Sequence, residues 1–79
     1  MLENLLRFFI INLVDKPDSI VIKQVNENGK NVIEIRVAPK DLAKVIGKDG
    51  RVFRALKSII NVIEPQVKRD LVINTDIVS

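Results

Sequence analysis

Between Pro39 and Pro65 the chain carries a helical pattern that breaks once, at "VIGKDGR", residues 45–51, where Gly47 and Gly50 stand three apart. Glycine inside a helix costs about 1 kcal/mol relative to alanine and supplies backbone conformations that side chains disfavour. The pair therefore forces two helices joined by a tight turn instead of one long helix. Before the break, Leu42, Val45 and Ile46 form the apolar stripe of a short helix ending near Ile46. Pro39 suits its first turn and Asp41 complements its positive end, while Lys40 and Lys44 share a solvated face. After the break, "RVFRALKSIINVI" reads as a helix over about 50–63 that stops near Pro65.

The flanking segments complete the pattern. Residues 2–14 favour helix, with Leu2, Leu5, Leu6, Phe9 and Leu13 on one face and Phe8 and Ile11 off it. After Pro17, "IVIKQVN" and "VIEIRV" are β-branched runs separated by Asn28-Gly29, the signature of a tight hairpin turn, so strands over 20–26 and 31–37 pair antiparallel. "LVINTDIV", residues 71–78, reads as a third strand. The order α-β-β-α-α-β predicts an α+β fold with a three-stranded sheet covered on one face by helices. No linker or repeat divides the 79 residues, so one domain over 1–79 is expected, with a small core.

The chain holds neither cysteine nor histidine. Disulfides, thiolate nucleophiles, imidazole bases and nearly all tetrahedral zinc sites are thereby excluded. Asp and Glu are scattered and no nucleophile and base stand together, so an enzyme, a metal centre or a bound cofactor is not expected. The apolar run over 5–14 is interrupted by Arg7 and Asn12 and is half the length a bilayer span of about 20 residues requires. It also lacks a basic start and a cleavage site, and is read as a helix of the fold in a cytoplasmic protein with no membrane partner.

Charge is concentrated at the break. Residues 1–39 carry five basic and five acidic side chains and residues 58–79 carry two and three. Residues 40–57 hold Lys40, Lys44, Lys48, Arg51, Arg54 and Lys57 against Asp41 and Asp49 only. That is an electrostatic footprint for an anionic ligand. The turn admits three readings: a plain turn, a nucleotide loop, or a clamp for a phosphate backbone. A P-loop needs glycines five apart followed by Lys and Ser or Thr, and a dinucleotide fold needs three glycines after a strand, and neither is present. A clamp gains from the missing Cβ atoms, which let another backbone approach, and from the amides at the start of the second helix.

"VIGKDGR" between two helices, after an N-terminal helix and a hairpin, resembles the signature of a type II K-homology (KH) domain. The block "RVAPKDLAKVIGKDGRVFRALKSII" and the chain length resemble the small bacterial single-KH family KhpA. The resemblance implies a loop that clamps the sugar-phosphate backbone of about four single-stranded nucleotides, in a post-transcriptional regulator or RNA chaperone. By position, Gly47, Lys48, Asp49 and Gly50 are the loop, with Arg51, Arg54 and Lys44 as further contacts. Val45, Ile46 and residues of the strand 31–37 are expected as the apolar floor, and Lys68 and Arg69 occupy the variable loop. Asp49 is a departure, because it sets an anion beside the phosphates and lowers the expected affinity. Its favoured reading is a side-chain cap on the following helix. With no Trp or Tyr, and three Phe in helices, stacking on bases is not expected.

The second helix has more apolar surface than a thin sheet covers: Val52 to Ile63 includes eight apolar residues spanning about half its circumference. Either the helix is deeply buried under the N-terminal helix, or one flank, Phe53 and Ile60, docks on a second copy or, as the resemblance implies, on another KH protein. An alternative function follows, a dimerisation adaptor with little nucleic-acid binding of its own.

Overall fold

A computed structural model of the chain describes residues 1–75. Its elements are helix α1 (Leu2–Ile11), strands β1 (Val21–Glu27) and β2 (Lys30–Val37), helices α2 (Leu42–Ile46) and α3 (Arg51–Ile63), and strand β3 (Arg69–Thr75). The α-β-β-α-α-β order matches the sequence pattern. β3 begins two residues earlier than expected, and residues 76–78 of the predicted strand lie outside the described residues.

The sheet order is β1-β2-β3, with β1 antiparallel to β2 and β3 parallel to it. Glu27 pairs with Lys30 across the two-residue Asn28-Gly29 turn, which closes the hairpin. The parallel pairing follows from the crossover: the chain leaves the end of β2, passes through α2 and α3, and returns in the same direction. The strand pattern alone does not set this orientation; the crossover through α2 and α3 does.

Alternation decides the buried face of the sheet. Ile33, Ile35 and Val37 of β2 and Leu71 of β3 meet Leu2, Leu6 and Ile10 of α1, Val45 of α2, and Leu56 and Ile60 of α3. The opposite face carries Lys23, Glu34, Arg36, Val72 and Asn74, so the helices lie on one side only. In α1 the buried row is Leu2, Leu6 and Ile10, spaced by four. Phe9 and Leu13, expected on that row, are exposed, and the helix stops at Ile11 rather than 14. Leu2 and Leu6 of the expected row are buried, whereas Ile10 takes the place expected of Phe9, which turns the phenylalanine outward.

Candidate nucleic-acid interface

α2 ends where Gly47 adopts φ 79°, ψ 169°, and its N–H closes the helix on the Ala43 carbonyl at 2.8 Å. Lys48–Gly50 form one 3₁₀ turn, in which the Gly50 N–H donates to the Gly47 carbonyl at 3.1 Å and the Arg51 N–H to the Lys48 carbonyl. Asp49 (φ 56°) and Gly50 (φ 75°) are both left-handed, and α3 starts at the next residue. The chain thus reverses within four residues and sets the first turn of a 13-residue helix at the surface.

The two glycines have different tasks. A Cβ on Gly47 would lie 2.5 Å from Val52 Cγ2 and 2.8 Å from the Val52 nitrogen, so the chain itself fills that space. A Cβ on Gly50 would meet nothing nearer than Arg54 Nη1 at 3.4 Å. The sequence reading gave both glycines to an approaching backbone, and only Gly50 presents an open side.

Among the candidate contacts, Lys48, Asp49 and Arg51 are exposed, and among the described residues neither Lys48 nor Arg51 has a side-chain hydrogen bond or ion pair. Arg54 is exposed and donates from Nη1 to the Asp49 carbonyl at 2.7 Å. Lys57 continues the ridge Arg51, Arg54, Lys57 on α3, a helix without an acidic residue. Asp49 does not cap α3. The cap position belongs to Gly50 and no side chain bonds there, because the left-handed backbone at Asp49 moves the carboxylate off the helix end.

Four expectations require correction. Lys44 is directed to Asp15, with Asp41 Oδ1 at 3.7 Å, and not to the glycine loop. Its ammonium is held above the usual lysine range chiefly by the Asp15 hydrogen bond. Val45 is fully buried in the core, as are Ile33, Ile35 and Val37 of β2, so the only exposed part of the expected floor is half-buried Ile46. Ile60 is fully buried and belongs to the core, and Phe53 is half-buried against it. Arg69 pairs with Glu64 at 2.8 Å and fastens the end of α3 to the start of β3, whereas Lys68 is exposed.

Asp41 was missed as an anchor. It is the one buried charged residue among the described residues, and its carboxylate accepts from the N–H of Asp15 at 3.0 Å and of Lys16 at 2.9 Å. These bonds, the Asp15 one foremost, hold its carboxyl below the ordinary aspartate range. Asp41 therefore pins the segment between α1 and β1 to the start of α2, where it stands at the N-cap position without a side-chain cap bond. No local pattern signals this, since the partners lie 25 and 26 residues away.

The surplus apolar surface lies on the α1 flank of α3. Leu5, Phe9, Ile59, Val62 and Ile63 line a shallow groove there with Ser58, and Val62 is 77% exposed. Phe8, 64% exposed, stacks edge-on against Phe9 with ring centroids 6.0 Å apart. No group of three or more metal-ligating side chains occurs among the described residues, and no helix there is long and apolar enough to cross a membrane.

A family model described as "KhpA/KhpB, KH domain" matches residues 3–74. The chain is 41% identical over 73 residues to a Streptomyces coelicolor protein named RNA-binding protein KhpA, covering 91% of this chain and 92% of the relative. Proteins of the same name from Caldanaerobacter subterraneus (33% identity, 77% of this chain and 81% of the relative) and Chlamydia trachomatis (34%, 75% and 76%) are also similar. No solved structure shows a significant match.

Proposed function

The chain belongs to the KhpA/KhpB KH-domain family, and on that premise we propose that it binds single-stranded RNA by clamping the phosphate backbone at Gly47–Gly50. It is not an enzyme. The ligand class comes from the relatives, which are named RNA-binding proteins. The observation that carries the site is the open side of Gly50, set at the N-terminus of α3 and flanked by Lys48 and Arg51, whose side chains have no partner among the described residues.

In this reading about four nucleotides pass the loop. Phosphate oxygens approach the backbone at Gly50, where the positive helix end favours anions, and Lys48 and Arg51 add charge. Ile46 offers the apolar surface beside the loop. Asp49 opposes the approach and keeps affinity low. Such a protein suits post-transcriptional control or RNA chaperoning, where many weak and exchangeable contacts are useful.

The test is fluorescence anisotropy of a labelled, randomised single-stranded RNA across a KCl series. Two phosphates neutralised by Lys48 and Arg51 predict a slope of log K against log salt of about −1.4, at roughly −0.7 per contact. Absence of binding at the lowest salt overturns the reading.

A second reading is favoured by the groove of Leu5, Phe9, Val62 and Ile63. We infer that this flank pairs with a second copy or another KH protein. Two weak clamps on one RNA would then gain avidity. Phe9→Asp, at a position 42% exposed, leaves the fold intact and lowers the sedimentation coefficient of the wild-type oligomer. A wild type that sediments as a monomer at every concentration overturns self-association.

A further inference from the structure

We propose that Arg54 is a positioning residue that braces the loop, and not itself a phosphate ligand; the inference rests on the RNA reading of the same site. Two adjacent left-handed residues, one of them not glycine, are an unfavourable sequence of conformations, since an L side chain disfavours the left-handed region, though aspartate less than most. Asp49 (φ 56°) is the strained one. Such a conformation persists only when its surroundings over-determine it.

Arg54 supplies that determination. Side chains on a helix lean toward its N-terminus, so a residue in the first turn of α3 can reach the loop that precedes it. The Arg54 Nη1 donates to the Asp49 carbonyl at 2.7 Å, and the same atom lies 3.4 Å from where a Gly50 Cβ would stand. The guanidinium therefore fixes the peptide that joins the two left-handed residues. With both backbone bonds of the turn, Gly50 N–H to Gly47 and Arg51 N–H to Lys48, it makes three restraints on four residues. Lys48 and Arg51, by contrast, have no internal partner among the described residues and are free to meet a ligand. The clamp is then preorganised before RNA arrives, and binding need not order it.

Arg54→Ala separates brace from ligand, with Arg51→Ala as the comparison. The position is exposed and alanine favours helix, so α3 is retained and the melting temperature falls by only the few degrees that one lost hydrogen bond costs a domain of this size. In the RNA-free protein, the amide hydrogens of Gly50 and Arg51 exchange about three- to tenfold faster in Arg54→Ala and at the wild-type rate in Arg51→Ala, the range expected for one hydrogen bond. RNA affinity falls by a similar factor, and the deficit persists as KCl is raised, whereas the Arg51→Ala deficit shrinks as an ionic contact must. Unchanged exchange together with an affinity deficit that vanishes at high salt overturns the proposal and makes Arg54 a phosphate ligand. If the wild type binds no RNA, the functional reading fails, while the exchange measurement still decides the brace.

Discussion

Gly47→Ala is expected to destabilise the domain more than any other single-methyl addition in the loop and to abolish RNA binding. Two costs add. At φ 79°, ψ 169° the backbone lies in a region essentially reserved for glycine, worth about 1–3 kcal/mol for any side chain. The new methyl would also stand 2.5 Å from Val52 Cγ2 and 2.8 Å from the Val52 nitrogen, overpacking worth about 1–3 kcal/mol. The Val52 methyl can rotate away, but its backbone nitrogen lies in the first turn of α3 and cannot. Domains of this size hold roughly 4–12 kcal/mol in total, at about 0.05–0.15 kcal/mol per residue, so the loss consumes much of the margin. Gly50→Ala meets no clash and pays only the left-handed cost of about 1–2 kcal/mol. Urea unfolding of the two variants checks this difference, and Val52→Ala in the Gly47→Ala background should recover part of the loss. Equal destabilisation by the two glycine substitutions would falsify the assignment of Gly47 to internal packing.

Lys48→Asp acts on the ligand and leaves the fold alone. Lys48 is exposed, has no partner among the described residues, and stands beside Asp49. Reversal changes the local charge by two units and turns the loop into a pair of adjacent carboxylates. Against a phosphate a few ångströms away this predicts a loss of at least about tenfold in affinity at low salt, or ~1.4 kcal/mol. The wild-type salt slope should also fall in magnitude by about 0.7, one phosphate contact. The unfolding midpoint stays within error of wild type. Equal RNA affinity for the two proteins would remove the clamp from the mechanism, even if RNA bound elsewhere.

Much of the fold was legible because its signals are local. The break at Gly47 and Gly50, the hairpin at Asn28-Gly29 and the alternation of Ile33, Ile35 and Val37 each lie within a few neighbouring residues. The concentration of basic residues around the loop was equally plain, since charge can be counted without coordinates. The candidate site was legible in outline and misassigned in detail. Lys44 counted as a cation near the loop, yet Asp15, 29 residues away in sequence, holds it. Val45 and Ile60 counted as apolar residues near a surface, yet the packing of α2 and α3 on the sheet places both in the core. Phe9 and Val62 take the exposed role instead, because neighbouring helix residues lie about 100° apart and a residue next to a buried one, as Phe9 is to Ile10, can face solvent.

Periodicity, turn chemistry and charge count were enough to establish where this chain bends, which segments pair and where its positive potential gathers. Those properties depend on neighbours along the chain. Which basic side chains are left free, which glycine is filled by its own protein and which apolar flank stays uncovered depend on residues brought together from distant positions. Asp41 with Asp15 and Lys16, Gly47 against Val52, and Arg54 on the Asp49 carbonyl are contacts set by helix packing and by one left-handed turn. A side chain's partner is chosen by distance in space, and only the folded chain sets that distance.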